Sequence, residues 1–92
     1  MRSKYSAKLD ALTDTTCEFL LAFIRKHPES DMTTIQKNIV IENNILNSKI
    51  DILREAALIS NHSVIDENSK KVINRLFSLT EEGKQSLSEL GY

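Results

Sequence analysis

The amino-acid sequence predicts a mainly α-helical fold that carries one small β-hairpin. Apolar residues recur at helical spacing through residues 33–57, with a break near Val40, which indicates two short amphipathic helices joined by a tight turn. Two β-rich runs and the turn-forming residues between them then indicate a hairpin over residues 58–79. The last segment, residues 80–92, is expected to form a C-terminal helix.

Length and composition limit the class of protein. With 92 residues, the chain is expected to fold as one domain, 1–92, whose small core would gain from association with a second copy. The 12 basic and 13 acidic residues nearly cancel, which counts against strong non-specific binding to nucleic acid and leaves a localised basic patch as the alternative. No apolar run approaches the ~20 residues of a membrane span and no apolar signal core follows the N-terminus. We therefore expect a cytoplasmic protein with no membrane partner.

The first part of the chain is expected to supply two helices. Residues 1–12 form an N-terminal arm with a short helix over 4–12. Thr15 is followed three residues later by Glu18, which has the form of a capping box and predicts the start of the main core helix. This helix should end near His27, because the proline that follows cannot donate a backbone hydrogen bond and restricts the residue before it.

The two helices of residues 33–57 form a helix-turn-helix pattern. Thr33 and Gln36 repeat the capping-box signal and predict a first helix over 34–40. A glycine is usual in such a turn because a positive φ costs it little, whereas Val40 occupies this turn. We expect the turn to close differently, through one of the two asparagines that follow.

The second helix is predicted over residues 43–55. Residues placed at 100° intervals put Leu46, Ile50 and Leu53 on the buried face. The opposite face is polar and should meet solvent or a ligand; it holds Asn44, Asn47, Ser48, Asp51 and Glu55.

Three segments give the sequence a resemblance to a known family: LTDTTCEFLLAFIRKHPE, ILREAALIS and SLTEEGKQSL. Together with the order of helix, turn, helix, strand, turn and strand, they resemble the winged helix-turn-helix domains of MarR- and ArsR-type bacterial transcription regulators. The resemblance covers residues 13–90. It implies a double-stranded DNA partner, with the N-terminal half of the second helix in the major groove and the hairpin, or wing, beside it.

The resemblance nominates the amide-rich start of the second helix for contacts to bases or phosphates, through Asn43, Asn44, Asn47 and Ser48. Asparagine can bond two edges of adenine, and serine can serve a base or a phosphate. Lys49 adds a positive charge to the same stretch. The alternative is a solvated polar face, which every amphipathic helix carries.

The wing should supply most of the positive charge, through Lys70, Lys71 and Arg75 on its stem, where it lies against phosphates or the minor groove. Asp66 and Glu67 occupy the tip and would repel a phosphate at close range. The alternative is that these charges only keep an edge hairpin from pairing with other sheets.

The sequence favours no catalytic or metal-binding role. His27 and His62 are far apart, no CxxC or HxxxH pair exists, and no glycine-rich phosphate loop appears. We therefore expect no enzymatic activity, no catalytic residue, no metal and no cofactor. The single cysteine, Cys17, lies in the first turn of an apolar helix, and we expect a structural role for it rather than a redox role.

Two functions from different classes remain. The first is a sequence-specific DNA-binding transcription regulator, a homodimer formed by residues 4–12 and 81–92 through the apolar residues Leu9, Leu12, Leu87, Leu90 and Tyr92. The alternative is a winged-helix protein–protein interaction module that does not bind DNA. In that case Ile45 and Ile52, seven residues apart on the helix flank, would contact the partner.

Overall fold

A computed structural model describes residues 3–92 and shows five α-helices and one three-stranded antiparallel β-sheet in that range. The elements are, in chain order, α1 Lys4–Leu12, α2 Thr15–Lys26, β1 Ser30–Asp31, α3 Met32–Asn38, α4 Asn43–Glu55, β2 Ile59–Ile65, β3 Val72–Leu79 and α5 Glu81–Glu89. The prediction of a mainly helical chain with a small hairpin is confirmed in part, since the helices and the β2–β3 hairpin are present and a third strand adds to the sheet. The short helix expected over 4–12 is α1, and the first two residues of the predicted arm lie outside the described residues.

Two helices begin earlier than the capping boxes predicted. The N-cap of α2 is Asp14, whose carboxylate accepts hydrogen bonds from backbone N–H groups of the first turn, so Thr15 is already helical. The N-cap of α3 is Asp31, which accepts from the backbone N–H of Thr34 at 2.8 Å. The predicted capping roles of Thr15 and Thr33 are therefore wrong, because in both places a preceding aspartate satisfies the free N–H groups.

The turn between α3 and α4 needs no left-handed residue. Ile39 has a φ of −123° and Glu42 a φ of −61°, and the Ile41 N–H donates to the Ile39 carbonyl at 3.1 Å. Extended backbone closes the turn, which is why Val40 is accommodated without strain. Asn43 and Asn44 are the first residues of α4 and not part of the turn, so the expectation that one of them closes it is wrong.

The sheet has one strand more than predicted, with the order β1-β3-β2. β2 and β3 form the predicted hairpin, paired from Ile59 with Leu79 outward to Ile65 with Val72. β1 pairs with the other edge of β3, Ser30 opposite Phe77. The expectation of a two-stranded hairpin is therefore incomplete: a two-residue strand is too short to show a period of its own, and its pairing with β3 defines it.

The start of the C-terminal helix α5 is held against the segment that links α4 to β2. Thr80 caps α5 and donates its hydroxyl to the Ala57 carbonyl at 2.6 Å and its N–H to the Leu58 carbonyl at 3.1 Å. The buried core lies beneath, built from Leu20, Leu21, Ile24, Ile35, Leu46, Leu53, Leu58 and Leu87. None of the helices in residues 3–92 is long and apolar enough to cross a membrane.

Candidate functional site

The start of α4 presents the four residues nominated from the sequence. Asn43, Asn44, Asn47 and Ser48 are all exposed, while Leu46 on the inner face is fully buried, as the helical periodicity predicted. The Ser48 hydroxyl donates to the Asn44 carbonyl at 2.9 Å, which leaves its oxygen lone pairs for an external donor.

The N-terminus of α4 is not capped by a side chain, since Glu42, the N-cap, makes no side-chain hydrogen bond. This is the end of a helix at which unpaired N–H groups carry partial positive charge. The carboxylate of Glu42 lies at the same end, so it offsets some of that charge for an approaching phosphate.

Lys49 differs from the other nominated residues, because its charge is already paired inside the molecule. Its ammonium group donates to the Asp14 carboxylate at 2.5 Å, and the two side chains are only 24% and 27% exposed. The hydrogen bond from Lys49 to Asp14 raises the pKa of Lys49. The structure therefore does not bring Lys49 to the exposed face that Asn47 and Ser48 share.

The basic residues of the hairpin are divided between its turn and its second strand. Lys70 and Lys71 are exposed in the turn, where Lys70 adopts a positive φ of 60° and the Lys71 carbonyl accepts from the Asp66 N–H at 2.9 Å. Asp66 stabilises this turn, since its carboxylate accepts hydrogen bonds from the Asn68 N–H and the Ser69 hydroxyl. β3 begins at Val72, so Lys71 precedes the strand.

A groove of about 530 Å³ runs between α4 and β3. α4 contributes Asn47, Asp51 and Arg54 to its polar lining. β3 contributes Asn74 and Arg75. Apolar side chains complete the lining: Met32, Ile50, Val72, Ile73 and Phe77. The groove thus brings together two of the nominated residues, Asn47 and Arg75, which are 28 positions apart in the sequence.

Asn74 connects the wall of this groove to α3. Its side-chain amide donates to the Asp31 carboxylate at 3.1 Å, and its side-chain oxygen accepts from the Arg75 N–H at 2.9 Å. Asp31 is also the N-cap of α3, where the hydroxyl and the N–H of Thr34 lower the pKa of its carboxyl group together with Asn74. The backbone N–H of Arg75 is therefore linked through Asn74 to the start of α3.

Sequence reasoning did not nominate Arg54 or Asn74 for the site. Arg54 lies seven residues after Asn47, which places both on one face of the helix, so helical periodicity could have found it. Its guanidinium lies 3.4 Å from the Asp51 carboxylate, an exposed pair that binds it weakly. Nothing local could have found Asn74, because its neighbours in the groove come from α3 and α4.

An apolar surface lies on the other side of the α3–α4 turn. Val40 is 94% exposed and Phe19 is 57% exposed. They line a groove of about 490 Å³ together with Thr16, Phe23, Asn38, Ile39 and Ile41. Of the two isoleucines expected to contact a partner, Ile45 is exposed, whereas Ile52 is partly buried against the core.

Cys17 is fully buried at the start of α2. Burial raises the pKa of the Cys17 thiol to about 11, the Asp14 charge adds to the effect and Lys49 opposes it. A thiol in this state carries little thiolate and reacts slowly. Within residues 3–92, no group of three histidine, cysteine or acidic side chains is placed to hold a metal ion.

Comparison with protein-family models, curated proteins and solved structures gives no match for this chain. The exposed start of α4, the basic hairpin turn and the groove between α4 and β3 are therefore the features on which a functional proposal depends.

Proposed function

We propose that this chain is a cytoplasmic winged helix-turn-helix protein of the MarR and ArsR type that binds double-stranded DNA sequence-specifically and regulates transcription as a homodimer. α4 is the reading helix and the hairpin of β2 and β3 is the wing. The role needs no catalytic residue, metal or cofactor.

The groove between α4 and β3 is the observation that carries this proposal. It places Asn47 of the reading helix opposite Arg75 of the wing, so one face of the molecule offers an amide group for a base edge and a guanidinium group for a phosphate. Arg54 and Asp51 line the groove as an ion pair. A solvated polar helix face would not require polar and basic residues of a separate strand on the same side.

The distribution of charge suggests weak binding that depends on few phosphate contacts. Lys70, Lys71 and Arg75 are exposed on the wing, while Lys49 is paired with Asp14. Three phosphate contacts per protomer would give a salt slope of about −3, at roughly 0.9 per contact on duplex DNA. Specificity must then come mainly from α4.

The test is a fluorescence anisotropy titration of the duplex upstream of the gene and of a random duplex, each at several salt concentrations. Asn47→Ala should reduce the preference for the specific duplex, because a lost bidentate base contact costs ~1–3 kcal/mol of discrimination. Lys71→Ala should weaken binding to both duplexes alike and make the salt slope shallower by about one for each protomer, because each protomer releases one fewer counterion.

Lys84→Ala is the matched control, since Lys84 is exposed on α5 and pairs with Glu81 at 3.5 Å. It removes the same charge as Lys71→Ala and should leave both the affinity and the salt slope unchanged. Wild-type protein that binds no duplex at low salt would contradict the proposal, as would Asn47 and Lys71 variants that both behave like Lys84→Ala.

The homodimer is proposed through the exposed face of α1. Tyr5 is 71% exposed and, with Leu9 and Leu12, lines a mainly apolar groove of about 370 Å³ beside Glu82. Leu90 and Tyr92 are also exposed. Leu87 was expected to join this surface but is fully buried in the core, because α5 turns it towards α2 and not towards solvent.

Buried Ala7 and Ala11 join α1 to the core, and two ion pairs link it to α5. Glu82 receives the Lys4 ammonium at 3.0 Å and the Lys8 ammonium at 3.4 Å. Leu9→Glu should convert a dimer into a monomer in sedimentation velocity at tens of micromolar, while Lys37→Glu, an exposed change on α3, should leave the dimer intact. Wild-type protein that sediments only as a monomer would contradict the dimer.

A protein-interaction module is the second candidate, and the exposed apolar surface at Phe19 and Val40 favours it. It becomes the leading explanation if no duplex binds. Val40→Asp should then abolish binding to an isolated partner protein, and Ile45→Asp tests the flank of α4 in the same assay. A partner that binds both variants like the wild type would exclude this surface.

A further inference from the structure

The carboxylate of Asp14 joins two helices through its two oxygens. Oδ1 accepts from the N–H groups of Thr16 at 2.8 Å and Cys17 at 3.1 Å, which caps α2. Oδ2 accepts from the Lys49 ammonium of α4 at 2.5 Å. A single side chain thus satisfies free N–H groups at the start of one helix and binds the middle of another.

The pair acts with the buried residues Leu46, Ile50 and Leu53 in restricting the rotation of α4 about its own axis. Lys49 follows Asn47 and Ser48 directly, so holding its side chain restricts the direction in which these two residues point. Both side chains of the pair are about three-quarters shielded from solvent, so salt screens their attraction less than it screens an exposed pair. Asp14 is already held by two backbone N–H groups, so forming the pair costs little of its side-chain freedom.

We propose that Lys49 is a positioning residue, which holds α4 at the rotation that presents Asn47 and Ser48 to DNA and does not itself contact a phosphate. The proposal rests on the proposed function for the identity of the ligand. The tether between Lys49 and Asp14 can be measured without DNA.

A double-mutant cycle on the free energy of unfolding tests the tether. Asp14→Asn keeps the cap, because asparagine is as good an N-cap as aspartate, and removes only the charge. Lys49→Met keeps the aliphatic stem. The unfolding equilibrium constant of the double variant should differ about fivefold from the value that multiplying the two single effects gives. Fivefold is the upper end for an ion pair near the surface. Lys49→Arg should restore most of the coupling, and fully multiplicative effects would overturn the proposal.

DNA binding by the same variants distinguishes a positioning role from a phosphate contact, because the two roles predict different directions of change in binding. A positioning role requires that Asp14→Asn and Lys49→Met both reduce the preference for the specific duplex, by about fivefold or more, with the wild-type salt slope. If Lys49 instead contacts a phosphate, Lys49→Met makes the slope shallower by about one for each protomer, and Asp14→Asn frees the ammonium and strengthens binding to any duplex. Opposite effects of the two variants would therefore overturn the proposal.

The two failures are distinguishable. A wild-type protein that binds no duplex at low salt overturns the proposed function and with it the reading role of α4. A wild-type protein that binds specifically, combined with opposite effects of Asp14→Asn and Lys49→Met, overturns the positioning role alone.

Discussion

Gly83→Ala should destabilise the protein strongly, because α5 passes too close to the backbone of Leu58, between α4 and β2, for any side chain at this position. A Cβ atom built on Gly83 would lie 2.0 Å from the carbonyl oxygen of Leu58, a backbone atom that cannot rotate away. To restore even a tight contact, α5 would have to retreat by about 1 Å. The same carbonyl accepts the Thr80 N–H at 3.1 Å, so this retreat would break the bond that anchors α5.

Three contributions determine how much Gly83→Ala lowers the free energy of unfolding. Overpacking in a close contact costs about 1–3 kcal/mol, and loss of the Thr80–Leu58 hydrogen bond costs about 0.5–1.5 kcal/mol. The higher helix propensity of alanine returns at most about 1 kcal/mol. A net loss of about 2–3 kcal/mol is expected, which corresponds to a fall in Tm of roughly 10–20 °C for a domain of this size.

Urea and thermal unfolding followed by circular dichroism measure this loss. Gln85→Ala is the control, because Gln85 is exposed on the same helix and its change should alter the free energy of unfolding by less than about 0.5 kcal/mol. If Gly83→Ala were as stable as Gln85→Ala, the close approach of α5 to Leu58 would be refuted.

Three further predictions concern other parts of the fold. Ala57 has a φ of 58° at the C-terminal end of α4, so Ala57→Gly should stabilise the protein by about 1 kcal/mol in urea unfolding, whereas Ala56→Gly, at a φ of −76°, should destabilise it. Cys17 should resist alkylation by iodoacetamide at about pH 7.5 in the native state and react once urea unfolds the chain, because its pKa is raised to about 11; fast native labelling would contradict its burial. Burial raises the pKa of Asp14, but hydrogen bonds from Lys49, Cys17 and Thr16 outweigh it and lower the pKa below 3.8. The charged form therefore stabilises the fold above about pH 4, and wild-type protein should lose more stability than Asp14→Asn between about pH 5 and pH 3; equal losses would contradict the linkage.

The sequence was sufficient for the longer elements because they contain several periods of a strong pattern. α4 has the predicted bounds, Asn43–Glu55, and buries the predicted residues, since 13 residues repeat the apolar spacing more than three times. The hairpin followed from two β-rich runs and a polar turn. Local sequence carries such signals without help from the rest of the chain.

The sequence was not sufficient where distant residues decide between neighbouring candidates. Asp14 and Thr15 are both good N-caps, and the structure selects Asp14, whose second oxygen binds Lys49, 35 positions away. Asp31 is selected over Thr33 in the same way, since its carboxylate also accepts from Asn74, 43 positions away. Choices of this kind cannot be read from a window of ten residues.

The candidate site shows the same division. Periodicity correctly placed Asn44, Asn47 and Ser48 on the exposed face of α4. It could not show that Lys49 is paired with α2, or that Asn47 faces Arg75 across a groove, because both facts depend on how separate elements pack. Which residues are exposed was therefore predictable, and which of them share a site was not.

The two N-cap aspartates bear on the candidate site together. Asp14 joins α2 to α4, and Asp31 joins α3 to Asn74 of β3, so each wall of the groove is held by a carboxylate that also caps a helix. Hydrogen bonds lower the pKa of both carboxyl groups, so both are charged at neutral pH and both links weaken as acid protonates them. Two charged side chains outside the lining of the groove therefore contribute to the relative position of α4 and β3. Replacing either aspartate by alanine would alter the site by moving one of its walls, while the residues that line the groove remain unchanged.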